Sequence, residues 1–201
     1  MQETLCICAL VPALAPRTRL ALLVHYREAR KPTNTGQLAA RALAGSTVEL
    51  VGDRDRPIRL PIVRAGETGA LLFPADDAVP IAELREVPDV LVVPDGTWRQ
   101  AAKMRARVPG LAALPCVAVP AAAPTSYRLR AEPRAGGLAT LEAIAAALRV
   151  LEGERGPAIA DALLGLFRVM VDRTLWLRGA LAGDAVTGGI PAAALADDPR
   201  G

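Results

Sequence analysis

Val90-Leu91-Val92-Val93 carries no polar side chain, is too short for a helix and is rich in β-branched residues, which is the composition of a strand buried on both faces. Strands of that kind lie inside parallel sheets, and the sequence supplies neighbours for this one. Residues 20–24, 47–51, 70–73 and 116–119 read as further strands. Residues 35–43, 140–151 and 158–177 repeat their apolar positions at helical spacing, the first with Asn34 as N-cap and Gly45 beyond its end. In the second, Leu141, Ile144, Ala145 and Leu148 share a face; in the third, Leu163, Leu166, Phe167, Met170 and Val171 do. The spacing also predicts a helix after the turn Pro74-Ala75-Asp76-Asp77, running to about Arg85. Strands alternating with helices define an α/β fold, here a mainly parallel sheet flanked by helices.

At 201 residues and 52% hydrophobic content the chain can bury one core and does not require two. Residues 1–180 are expected to form a single domain, and the Gly- and Asp-containing segment 181–201 a flexible tail. Net charge is +3, and only Lys31 and Lys103 of the basic residues are lysines, so an anionic partner is permitted but not demanded. Three cysteines without paired spacing point away from a disulfide scaffold and toward a reducing compartment. Met1-Gln2-Glu3-Thr4 lacks a basic n-region, and the apolar stretch 158–177 is interrupted by Asp161, Arg168, Asp172 and Arg173. A cytoplasmic protein that does not span a membrane is the expectation.

Chemistry concentrates just after the central strand. In Pro94-Asp95-Gly96-Thr97-Trp98-Arg99-Gln100, Pro94 is expected to end the strand and Thr97 with Gln100 to form a capping box that opens a helix, which Pro109-Gly110 closes. Asp95, Gly96 and Thr97 thus occupy a strand-to-helix turn, the location at which open α/β sheets bind ligands. Asp95 reads equally as a helix cap or as a site acid, and Trp98 as a core residue or as the wall of a pocket. Arg128 and Arg130 flank Leu129 and would share one side of an extended segment. Arg27, Arg30 and Lys31 form a second basic group beside His25 and Asn34. Both groups suit phosphate, or are solvated charged loops.

Five stretches of this sequence together resemble the DTW-domain family. They are Asp95-Gly96-Thr97-Trp98, Leu71-Leu72-Phe73-Pro74 with Ala78, Ser126-Tyr127-Arg128-Leu129-Arg130, Leu138-Ala139-Thr140-Leu141-Glu142-Ala143-Ile144, and upstream Asn34-Thr35 with Cys6-Ile7-Cys8. The family is similar to tRNA-uridine aminocarboxypropyltransferases, knotted S-adenosylmethionine enzymes of the SPOUT kind. The resemblance implies a deep C-terminal trefoil knot and S-adenosylmethionine as donor. It places Asp95 and Trp98 at the reacting centre, with Pro74, Gly96, Thr97, Trp98, Leu114, Cys116, Ser126, Tyr127 and Thr140 around the donor. With tRNA as the substrate, the two basic groups, Arg27, Arg30 and Lys31 beside His25 and Asn34, and Arg128 with Arg130, are the expected RNA contacts by their charge and position. Asp95 would act as general base or would hold the donor. By the same resemblance Cys6 and Cys8 correspond to half of a zinc site: two thiolates do not complete a tetrahedral centre, so either the site is lost and the pair is its remnant, or the other ligands come from upstream or from a second chain, and no metal is expected. Methyl transfer on the same fold, or RNA binding without catalysis, are the alternatives that remain.

Overall fold

The computed structural model describes residues 3–53, 55–120, 125–129 and 137–196. Its centre is a six-stranded sheet built from β1 (Arg19–His25), β2 (Thr47–Val51), β3 (Gly69–Leu72), β4 (Val79–Pro80), β5 (Val90–Asp95) and β6 (Cys116–Ala118). The order across the sheet is β2-β1-β5-β3-β6-β4, and every registered pair is parallel. The α/β expectation therefore holds at the level of a single chain with a parallel sheet. Strand β5, laid down late, is inserted between β1 and β3 and buries all of its side chains.

The two faces of the sheet are covered by different helices. Leu20, Leu22 and Val24 of β1 and Leu91 and Val93 of β5 face α2 (Thr35–Ala42), α4 (Thr140–Leu151) and α5 (Gly156–Leu177). The alternate residues Ala21, Leu23, Val90 and Val92 pack with Met104 of α3 (Trp98–Arg107), as the period of two dictates. Two short helices, α1 (Tyr26–Ala29) and α6 (Ala192–Ala196), complete the set. Helices α4 and α5 turn back on each other at Gly156, where an added Cβ would lie 2.2 Å from the carbonyl oxygen of Arg149, so only glycine allows the approach.

Several boundaries differ from those read in the sequence. No α-helix leads to Arg85: the segment forms the edge strand β4 and a 3-10 turn over Ile81–Glu83. Pro80 explains this, since proline is excluded from a helix interior but is tolerated on a sheet edge. Pro94 does not end its strand. Pairing of β5 with β3 stops at Val92, while β1 continues alongside Pro94 and Asp95, so the strand runs on past the proline with one neighbour. Residues 181–196, expected as part of a flexible tail, form a 3-10 turn and α6; Val186 and Ala194 bury against Leu5 and Trp176. The segment 121–124 lies outside the described residues. No helix among the described residues is long and apolar enough to cross a membrane.

Candidate active site

In a parallel sheet all strands deliver their carboxyl ends to the same edge, and Asp95 lies at that edge in the centre. It is only 6% exposed. Its Oδ2 accepts from Asn34 Nδ2 and its Oδ1 from Thr140 Oγ1, both at 2.5 Å. Asn34 is the N-cap of α2, where its own Oδ1 accepts from Gln37 N–H, and Thr140 is the first residue of α4. One carboxylate thus joins two helix starts, whose positive dipole ends complement its charge. Gly36 makes room for it: a Cβ there would meet Asp95 Cγ at 3.0 Å and Leu22 Cδ1 at 3.1 Å.

Around this carboxylate lies a cavity of about 20 Å³, bounded also by Glu28, Lys31, Thr33, Gly96 and Tyr127. That is space for one water or an ammonium head, not for a whole ligand. Glu28 is buried and accepts from Lys31 Nζ at 2.7 Å. Tyr127 closes the far side, its hydroxyl donating to the Thr33 carbonyl at 3.2 Å and its ring stacked on Phe167.

Trp98 leaves the same turn in another direction. It is the first residue of α3, half-buried, with its ring 6.2 Å from that of Phe73. The capping box expected from Thr97 and Gln100 is complete: Gln100 N–H donates to Thr97 Oγ1, and Thr97 N–H donates to Gln100 Oε1. Asp95 is therefore not the cap, because Thr97 does that work. Pro74 follows Phe73 at the same edge of the sheet and is exposed. Cys116 is buried with its thiol donating to the Phe73 carbonyl at 3.0 Å, and burial pushes its pKa up. Leu114 stands apart: its side chain lies against Gly69, which pairs with Val90 at the opposite end of β5.

Ser126 is committed internally. Its N–H and hydroxyl both donate to Glu142 Oε1, while Thr125 Oγ1 and Ala139 N–H donate to Oε2. Glu142 thus ties the 125–127 turn to the start of α4, which bears Thr140. Sequence reading missed this role because Ala139 replaces the Ser or Thr of a capping box. Gly36 and Glu28 were missed as well; a glycine in the first turn of a helix was the available signal for the former.

The basic residues separate into different environments. His25 caps α1, its Nδ1 accepting from Arg27 N–H and lying 3.2 Å from Gln100 Nε2. Arg27 donates to the Tyr26 hydroxyl. Arg128 pairs with the buried Asp172 at 2.9 Å, an acid that also accepts from Thr187 N–H and hydroxyl. Arg30, Lys31 and Asn34 lie together beside Cys6 and Cys8 around a second, larger cavity. Arg130 lies outside the described residues. Cys6 and Cys8 are exposed, and among the described residues no group of three or more His, Cys, Asp or Glu is placed to hold a metal.

The fold is thus that of a parallel α/β protein with a buried acid at the carboxyl edge of its central strand, where open sheets of this class bind ligands. Comparison then places it: the DTW domain model matches residues 1–175, and the chain belongs to the DTW-domain family. It is 32% identical over 148 residues to tRNA-uridine aminocarboxypropyltransferase 2 of Drosophila melanogaster, an alignment covering 70% of this chain and 59% of that protein. The chain thus spans less than two thirds of the length of that relative. No solved structure matches.

Proposed function

We propose that this chain transfers the 3-amino-3-carboxypropyl group of S-adenosylmethionine to a uridine base nitrogen of tRNA. The observation that carries the reading is Asp95, a buried carboxylate pinned at the centre of the sheet's carboxyl edge within the family motif. The relative's name supports the substrate and reaction. Insertion of β5 between β1 and β3, and the return of the chain after β6 to Thr33 and Asp95, support the SPOUT-like knot.

The residues present fit the donor. When bound, its sulfonium would activate the adjacent γ-carbon: the uridine nitrogen bonds to that carbon and gives up its proton to solvent, and the carbon–sulfur bond breaks to release methylthioadenosine. The cavity before Asp95 matches an ammonium head in size, and the carboxylate carries the charge that complements one. We therefore assign Asp95 to holding the donor's amino group rather than to proton abstraction. Trp98 and Phe73 offer aromatic faces on the other side of the turn, where a sulfonium gains about 0.5–2 kcal/mol. Pro74, Gly96, Thr97, Ser126, Tyr127, Thr140 and Cys116 border the same edge through backbone or packing; Leu114 is left out. A cytoplasmic location accords with the substrate.

Incubation with S-adenosylmethionine and undermodified tRNA, followed by nucleoside mass analysis, tests the reaction. Uridine should gain the mass of the transferred group while methylthioadenosine is released. Release of S-adenosylhomocysteine would make it a methyltransferase, and an unaltered nucleoside a binding protein. Asp95→Asn should raise the donor KM about 10–100-fold, the loss of one charge-assisted contact, in a protein that stays folded. An unchanged donor KM would refute the assignment of Asp95.

A further inference from the structure

Beside the Asp95 cleft opens a cavity of about 370 Å³, at the small end of ligand sites. Lys31 and Asn34 line both spaces, so the cavity adjoins the cleft of the pinned carboxylate. Its floor is apolar: Ile7, Leu38 and Met170 are all buried. The rim is cationic, with exposed Arg30, Lys31 and Arg41 against the single acid Glu3. Lys31 is paired with Glu28, but among the described residues the side chains of Arg30 and Arg41 have no hydrogen-bond or ion-pair partner. These charges are unspent, as a site awaiting an anion requires.

The wall on the N-terminal side is held in place. Arg173, 5% exposed on α5, donates from Nη1 to the carbonyl of Cys6 at 3.2 Å and toward that of Leu5 at 3.5 Å. Leu5 itself is fully buried in the cluster around Trp176. Cys6 and Cys8 are thereby presented along the cavity at fixed positions. The Cys6 thiol is pulled below its ordinary pKa, chiefly by its hydrogen bond with Cys8 and to a lesser degree by the charge of Arg41.

Resting on the reading of tRNA as substrate, we propose that this cavity seats the nucleotide to be modified, its ring over Ile7, Leu38 and Met170 and its phosphates against Arg30 and Arg41. An apolar floor beneath unpaired guanidinium groups matches the two halves of a nucleotide, and Arg is the side chain suited to phosphate. The cavity's contact with the Asp95 cleft through Asn34 and Lys31 is what brings the acceptor to the donor.

Alkylation by iodoacetamide reads the cavity directly, because Cys6 and Cys8 line it and Cys116 is buried. Undermodified tRNA should slow labelling of Cys6 and Cys8 at least about fivefold, whereas S-adenosylmethionine alone should leave it unchanged. Arg41→Glu, at an exposed position of α2, should weaken tRNA binding about tenfold or more and reduce the salt slope by about one, with donor affinity unaltered. Unchanged labelling in the presence of tRNA, protection by the donor alone, or wild-type tRNA affinity in Arg41→Glu would each overturn the proposal. Protection by tRNA without any transferred group would sink the reaction and leave this site standing; transfer with unprotected thiols would do the reverse.

Discussion

Asp95 and His25 mark the ends of two paired strands, and they illustrate how much a side chain's role depends on its neighbours. Asp95 becomes a fixed acceptor because Asn34 and Thr140 aim at it and Gly36 leaves space for it. His25, a candidate RNA contact, caps a helix and lies against Gln100. Burial, reinforced by the positive charges of Arg27 and Lys103 and opposed by Glu28, pushes its pKa below 6.5. The folded ring therefore binds a proton less readily than the unfolded one. Its contribution is fully present above about pH 6.5 and is lost as pH falls toward the lower folded value. Urea titrations should show stability declining below about pH 6.5, and His25→Asn, whose side-chain oxygen can accept the capping bond in place of Nδ1, should flatten that decline.

Among the elements, the turn between β5 and α3 was legible in detail because its determinants are local: an apolar run, then Thr97 and Gln100 at capping-box spacing. The start of α4 was not. Its cap is Glu142, reaching back to Ala139 N–H and across to Thr125 and Ser126, so the element is set by a turn lying before it in the chain. Glu142→Gln replaces an acceptor by a donor and leaves backbone or hydroxyl donors of that turn facing an amide. The expected cost is about 1–3 kcal/mol, read as a lower urea midpoint together with faster amide exchange at Ser126 or Ala139. Full protection of both amides in that variant would show that other contacts hold the turn.

For the whole molecule, the sheet order and the closure of the termini decide where everything lies. Leu5, Trp176, Val186 and Ala194 form a small core of their own, joining the beginning of the described chain to its end. Through Arg173 that core also steadies the wall bearing Cys6. Ala194→Arg forces a charge into this cluster and should cost about 2–3 kcal/mol, with a red shift of tryptophan emission as Trp176 meets water. If the wall depends on the cluster, the same variant should alkylate faster at Cys6; an unchanged rate would separate the two.

Apolar periodicity and turn chemistry act over a few residues, so every strand but the edge strand β4, most helices and the Asp95-Gly96-Thr97-Trp98 turn could be read along the chain. Parallel pairing follows from their alternation. Which side chains meet at Asp95 could not be derived from spacing, since Asn34 and Thr140 are 61 and 45 residues away and are brought there by the order in which the strands enter the sheet. The same packing engaged Arg128 with Asp172 while leaving the side chains of Arg30 and Arg41 unpaired, among the described residues, beside a cavity, a division that charge alone does not contain. Local preference is written residue by residue, whereas proximity across the fold exists only once the core has closed.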